Sequence, residues 1–220
     1  MRKIRSFVRR EGRLTPGQDK ALQSGWPQYG LTLADGMLDF QDRFDDKPVI
    51  LEIGFGMGHS LVTMAKANPD NHYIGIEVHR PGVGTLFREM QCQDVTNIAV
   101  YQEDAVEVLQ QCVVYGSLSG VQIYFPDPWH KKRHHKRRLI QPAFMEMLIT
   151  KLTPGGFVHL ATDWENYAEQ MMEVLTDTKL ENTAGEGCFS DRHDRPLTKF
   201  EQRGQRLGHG VWDLYFVKPA

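Results

Sequence analysis

The sequence predicts an α/β protein: a doubly wound, mostly parallel seven-stranded sheet with an antiparallel C-terminal strand. Three observations predict it. From residue 48 onward, short β-rich apolar runs alternate five times with stretches whose apolar residues recur at helical spacing. The first run stops in a cluster of alternate glycines that leads directly into a helix. After Thr178 the alternation gives way to two strand-like pieces separated by a polar loop, which close the sheet as an antiparallel edge.

Taken in order, residues 48–53 (PVILEI) form a buried strand stopped by glycine, and 60–68 a helix with Leu61, Met64 and Ala65 on one face, ended by Pro69. Residues 72–76 are the second strand, and Pro81 opens a helix running to about Cys92. Residues 97–101 and 105–113 repeat the unit. Strand four is 121–125. Ile140, Phe144, Met147 and Leu148 mark a helix that stops before Pro154, Gly155 and Gly156, and strand five is 157–161. Trp164, Tyr167, Ala168, Met171, Val174 and Leu175 make the last helical face, and 180–183 and 211–217 are the late strands. Residues 14–30, punctuated by Pro16, Gly17, Gly25 and Pro27, read as irregular. One domain over 48–220 is thus preceded by a basic arm and lead-in over 1–47.

The chain has 220 residues, enough for a full core, and its 40% hydrophobic and 25% charged content is globular. No apolar run reaches the roughly 18–20 residues that span a bilayer. The basic N-terminus lacks the apolar block of a secretory signal. Three scattered cysteines (Cys92, Cys112, Cys188) form no CxxC pair, which argues against a disulfide framework and for a reducing, cytoplasmic setting. The net charge of -2 conceals a polarity. Residues 1–13 carry six basic side chains and one acid, and residues 130–138 (HKKRHHKRR) carry six more and no acid. The rest holds 14 basic against 27 acidic residues. Two cationic segments on an acidic body suggest a polyanion met by one face.

Ligands of such sheets bind at the carboxyl ends of the strands. Strand one ends in Glu52 and is followed by Gly54, Gly56 and Gly58, a GxGxG turn rather than the GxGxxG of dinucleotide sites. Glu52 would repel a pyrophosphate and suits a ligand bearing positive charge. Glu77, after strand two, is placed to accept from ribose hydroxyls, a feature shared with NAD sites. Glu103 and Asp104, after strand three, could accept from an adenine amino group. Each acid alone could be a solvated loop residue or, for Asp104, a helix N-cap. Together with the glycines they fit S-adenosyl-L-methionine better than NAD.

Strand four runs into Tyr124, Phe125, Pro126, Asp127, Pro128 and Trp129. The prolines bias Phe125 and Asp127 to extended backbone and stiffen a turn that presents a carboxylate beside an aromatic ring. Nucleobase chemistry needs that pair: a face to stack on and an acceptor for the base edge. The bland alternative is a proline-fixed loop with Trp129 filling core. The cations of 130–138 would neutralise phosphates. Zinc binding by His130, His134 and His135 is opposed by those flanking cations, so no metal is expected.

The stretches EIGFGMG, IGIE, YFPDPWHKKRHHKRR, TDWENYAE and RPLTKFEQRGQRLGHGVWDLYF together resemble the bacterial tRNA (guanine-N7-)-methyltransferase family, over nearly the whole chain. The glycine motif alone indicates only a class I, Rossmann-like methyltransferase; PDPWHKKRH and the TKFE tail are more specific. The resemblance implies methyl transfer to N7 of a guanine in the tRNA variable loop. It implies that Glu52, Gly54, Gly56, Gly58, Glu77, Asp104 and Asp127 bind the cofactor or reaction centre, with Asp127 catalytic. Lys131, Asp163, Thr198, Lys199, Phe200 and Glu201 would contact substrate, and Arg133, His134, His135, Lys136, Arg137 and Arg138 would lie on RNA. A monomer or homodimer is expected. A methyltransferase for another nucleobase atom or for protein, and a non-catalytic RNA-binding subunit, remain open alternatives.

Overall fold

A computed structural model describes residues 6–7, 12–197, 201 and 210–220. It opens with helix α1 (Pro16–Tyr29), the short strand β1 (Gly30–Leu31) and helix α2 (Phe40–Phe44). Then follow β2 (Val49–Ile53), α3 (His59–Ala67), β3 (His72–Ile76), α4 (Arg80–Gln93), β4 (Ile98–Tyr101), α5 (Ala105–Gln111) and β5 (Leu118–Tyr124). The last elements are α6 (Pro142–Ile149), β6 (Leu152–Thr162), α7 (Glu165–Thr176), β7 (Glu181–Asn182) and β8 (Trp212–Val217).

All strands join one sheet in the order β1-β4-β3-β2-β5-β6-β8-β7. Pairing is parallel from β1 to β6 and antiparallel at β6–β8 and β8–β7. The predicted class and its seven strands are present, with β1 as an eighth at the edge. Two residues have no periodicity to read, so only pairing of Gly30 and Leu31 with Val100 and Tyr101 defines that strand. The order reverses between β2 and β5, and a crevice opens at such a switch point.

Parallel strands covered on both faces read as continuous apolar runs, and every residue of β2 is buried. Val49, Leu51 and Ile53 point into a cluster shared with Val108, Leu148 and Met171 of α5, α6 and α7. Ile50 points the other way, toward α1, α3 and α4. By alternation Glu52 lies on the face of Ile50, a carboxyl in an apolar strand.

The irregular lead-in expected for residues 14–30 is instead α1. Thr15 caps it in a reciprocal capping box with Gln18, and Pro16 takes the first turn, where a proline costs nothing. Such a box stabilises a helix start by about 1 kcal/mol. Packing does the rest: Gln18 Nε2 donates to Pro81 O and Thr85 Oγ1 of α4 (3.2 and 2.9 Å), and a Cβ at Gly25 would meet the Phe87 ring at 2.8 Å. The turn signal at Pro154, Gly155 and Gly156 lies inside β6, where register jumps from Leu118↔Leu152 to Gly120↔Phe157. Trp164 leaves the expected buried face: it is the N-cap of α7 and 37% exposed, while Tyr167, Ala168, Met171, Val174 and Leu175 are buried.

A buried polar network ties the C-terminal edge together. His159 Nε2 donates to Asp213 Oδ1 (2.9 Å), leaving Nδ1 to accept from Tyr124 O–H (3.1 Å). Arg195 grips Asp213 through two 2.8 Å bonds and Glu201 through a 2.6 Å bond.

Candidate active site

The glycine turn after β2 is held by the next acid along the sheet. Gly56 N–H donates to Glu77 Oε2 and His79 N–H to Glu77 Oε1, both at 2.9 Å, so one carboxylate joins the turn to the start of α4. Burial raises the Glu77 pKa, while these backbone donors pull it back. Gly54 has φ +79°, a conformation that disfavours any side chain, and a Cβ there would meet no protein atom. That space belongs to a cleft of about 230 Å³ at the carboxyl ends of β2 and β5.

Gly54, Glu77, Asp104, Phe125 and Asp127 all line this cleft. Asp104 is also the N-cap of α5, its Oδ1 accepting from Val106 N–H at 3.0 Å. The cap bond uses one carboxylate oxygen and the residue lines the cleft, so cap and ligand acceptor are compatible roles. Gly56 and Gly58 shape the turn from behind: Gly58 is the left-handed N-cap of α3, and a Cβ on it would meet Leu86 at 2.5 Å.

Glu52 is 3% exposed and its Oε2 has no hydrogen-bond partner. Burial, reinforced by the nearby Glu77 charge, pushes its pKa from 4.5 up to about 8. Between those values the unfolded chain is ionised here and the folded chain is not. The native state then binds more protons, so this group's contribution to stability falls as pH rises through that window. A cationic ligand reverses the preference by stabilising the carboxylate. Cofactor uptake at pH 7 should therefore release about one proton. Titration calorimetry in buffers of different ionisation enthalpy measures this directly. Glu52→Gln should remove the release, and wild-type release of no protons would refute the assignment.

The turn after β5 departs from the extended backbone expected of Phe125. Phe125 N–H still bonds to Ala161 O at 2.8 Å, but its φ is +52°, and Trp129 at the far side has φ +47°. Left-handed backbone at bulky residues costs about 1–3 kcal/mol each and concentrates at functional sites. The pair frames Pro126, Asp127 and Pro128. Asp127 is exposed, with Oδ1 accepting from Trp129 N–H at 3.0 Å. Trp129 is not core filling: its indole N–H donates to Ser6 O (3.0 Å) and the Arg137 guanidinium lies over its ring. Ser6 and Phe7 thereby line the cleft, a contribution that the arm's charge did not signal.

Asp163 follows β6, beside the β5 turn, because Tyr124 pairs with Ala161. It is not the cap of α7; Trp164 holds that position, and the His130 ring meets Trp164 edge-on at 4.3 Å. The cationic segment forms a 3-10 turn, Lys132–Arg137. Lys131, Lys132, Arg133 and Lys136 are exposed, and His134, His135 and Arg137 are half-buried. Partial burial and the cations around it lower the His134 pKa. Arg138 is the exception. It is 2% exposed, with its guanidinium bonded inward to Pro128 O, Gln170 and Asn166 rather than presented at the surface like its neighbours. Glu201 is 3% exposed and clasped by Arg195 (2.6 Å), hence anchored within the fold. Thr198, Lys199 and Phe200 lie outside the described residues. Among the described residues no group of three or more His, Cys, Asp or Glu could hold a metal ion, and no helix is long and apolar enough to cross a membrane.

The Methyltransf_4 family, described as "Putative methyltransferase", matches residues 46–214. The tRNA (guanine-N(7)-)-methyltransferase of Pseudoalteromonas atlantica is 58% identical over 100% of this chain and 93% of its own length. The chain belongs to the tRNA (guanine-N7-)-methyltransferase family. Another family member, from Aeromonas hydrophila, is 59% identical over 99% of this chain and 93% of its own. The fold extends beyond the family. The 16S rRNA methyltransferase KamB superposes with a TM-score of 0.57 at 11% identity, each chain fully covered. The aminoglycoside resistance methyltransferase NpmB1 gives 0.55 at 14%, over 86% of this chain and 94% of its own. These likenesses concern architecture alone.

Proposed function

We propose that this family member transfers a methyl group from S-adenosyl-L-methionine to N7 of a guanine in the variable loop of tRNA, forming N7-methylguanosine. The observation that carries the reading is convergence: acids following parallel strands meet at one cleft, and a cationic turn begins five residues past its rim at Asp127. The donor set suits the cofactor. Glu77 on the cleft wall matches the ribose hydroxyls and Asp104 the adenine amino group, and Glu52, which does not line the cleft but precedes the lining residue Ile53, brings a buried partnerless oxygen that suits a positive charge. Gly54 lets the backbone come close. When bound, the cofactor supplies a methyl group on a sulfonium leaving group.

The rest of the chemistry falls to the chain. Guanine N7 carries an in-plane lone pair, so no residue need remove a proton before attack. The protein must hold acceptor and donor in line, exclude water and tolerate a purine that becomes cationic. Positioning of that kind accounts for several kcal/mol. Asp127, exposed on the cleft wall, orients the guanine edge and places negative charge where positive charge develops. Asp163, just past the end of the neighbouring strand β6, contacts the same substrate. Lys131, Lys132, Arg133, Lys136 and Arg137 meet the phosphates around the target.

Residues 48–220 form the methyltransferase domain, with 1–47 supplying the basic arm, α1, the edge strand β1 and the cleft-lining Ser6 and Phe7; a monomer or homodimer works in the cytoplasm. Incubation with labelled S-adenosyl-L-methionine and unmodified tRNA, then nuclease digestion and mapping, should yield labelled N7-methylguanosine from the variable loop alone. Label on another atom, or none, would overturn the reading.

A further inference from the structure

The cationic segment ends in a residue that points into the fold. Arg138 Nε donates to Pro128 O at 2.9 Å. Its Nη1 donates to Gln170 Oε1 at 2.6 Å and, more weakly, to Asn166 O at 3.5 Å. Its Nη2 donates to Asn166 Oδ1 at 3.0 Å and lies 3.1 Å from His135 Nε2. A guanidinium can only donate, so His135 Nε2 accepts. All five N–H groups are used, and the guanidinium stacks 4.6 Å above the Tyr167 ring. Every acceptor here is neutral. A cation buried that way stabilises a fold little against an apolar substitute, so what it joins is the informative part.

It joins the two carboxylate-bearing turns. Pro128 directly follows Asp127. Asn166 and Gln170 lie in the first turns of α7, and Asn166 is three residues past Asp163. One side chain thus fixes the turn after β5 to the element that leads out of the turn after β6. We propose that Arg138 is a positioning residue that sets Asp127 relative to Asp163, and not a phosphate contact. Because Arg138 terminates the 3-10 turn that faces RNA, load on Lys131 to Arg137 bears directly on the Asp127 turn. The inference rests on the assignment of Asp127 and Asp163 to the reacting base.

The test separates the roles by rate and by salt. Arg138→Gln, Arg138→Lys, Asn166→Ala, Lys132→Gln and Asp127→Ala are compared in single-turnover methylation at saturating tRNA and cofactor. Their tRNA affinity is followed against salt and their folding by thermal melting. The expected result is a rate about 10- to 100-fold lower in Arg138→Gln, since displacements near 1 Å cost on that order. Its affinities for tRNA and cofactor, and its salt slope, stay as in wild type. Lys132→Gln should instead reduce the salt slope by about 1. Asn166→Ala removes only an exposed acceptor; it should keep its melting temperature, lose rate in part and add little to the loss in Arg138→Lys.

A flattened salt slope with a normal rate in Arg138→Gln would overturn the proposal in favour of phosphate contact. Wild-type rates in both Asn166→Ala and Arg138→Lys would overturn it even if Arg138→Gln fails to fold. Normal turnover in Asp127→Ala would instead refute the underlying assignment of Asp127.

Discussion

Asp127→Ala should cut methylation to a small fraction of the wild-type rate while leaving cofactor affinity within about twofold of wild type. The carboxylate is exposed on the cleft wall, and its hydrogen bond from Trp129 N–H helps shape the turn without anchoring it in the core. Its loss removes charge aimed at a centre that becomes positive only during reaction, so kcat should fall by about 10² to 10³-fold. Asp127→Asn keeps the Trp129 bond and the orientation of the base edge but not the charge. It should recover part of the rate. Equal loss in both variants would assign the effect to charge; full recovery in asparagine would assign it to orientation. Rapid-quench methylation with calorimetric cofactor binding measures both, and turnover retained in the alanine variant would remove Asp127 from the centre.

The second large effect concerns RNA. Neutralising Lys131, Lys132, Arg133, Lys136 and Arg137 together should weaken tRNA binding severely and flatten its dependence on salt. Each phosphate neutralised contributes roughly 0.7–0.9 to the slope of log affinity against log salt, so five should remove about 4. Arg138 is left out because its donors are spent inside the fold. Cofactor binding should be unaffected, since none of the five lines the cleft. An unchanged salt slope would place the phosphates on another face.

Much of the site was readable because its acids sit at fixed offsets from strands, and parallel strands announce themselves by local composition. Glu77 and Asp104 reach one cleft because β3 and β4 are neighbours in register: Gly75 pairs with Val100 and Ile76 with Tyr101. Helix α1 was also present in the sequence, as Thr15 and Gln18 at capping-box spacing, but Pro16, Gly25 and Pro27 outweighed that signal. Pro16 is harmless at a first turn, and Gly25 is required by contact with Phe87, 62 residues away. The place of Ser6 and Phe7 in the cleft had no such local mark, because it depends on an indole N–H from Trp129.

The sequence by itself determined the order of strands and helices, the glycine turn, and the placement of each acid after its strand, since all of these are periodicities or spacings within a few residues. Tertiary structure alone decided which side chains of like chemistry do different work. Arg137 lies on Trp129 at the surface while Arg138, its neighbour, is sealed among Pro128, Asn166 and Gln170. Burial pushes the Glu52 pKa up to about 8 while Asp127 stands in solvent. Burial, dielectric environment and hydrogen-bond partners are set by groups distant along the chain, and no local pattern encodes them.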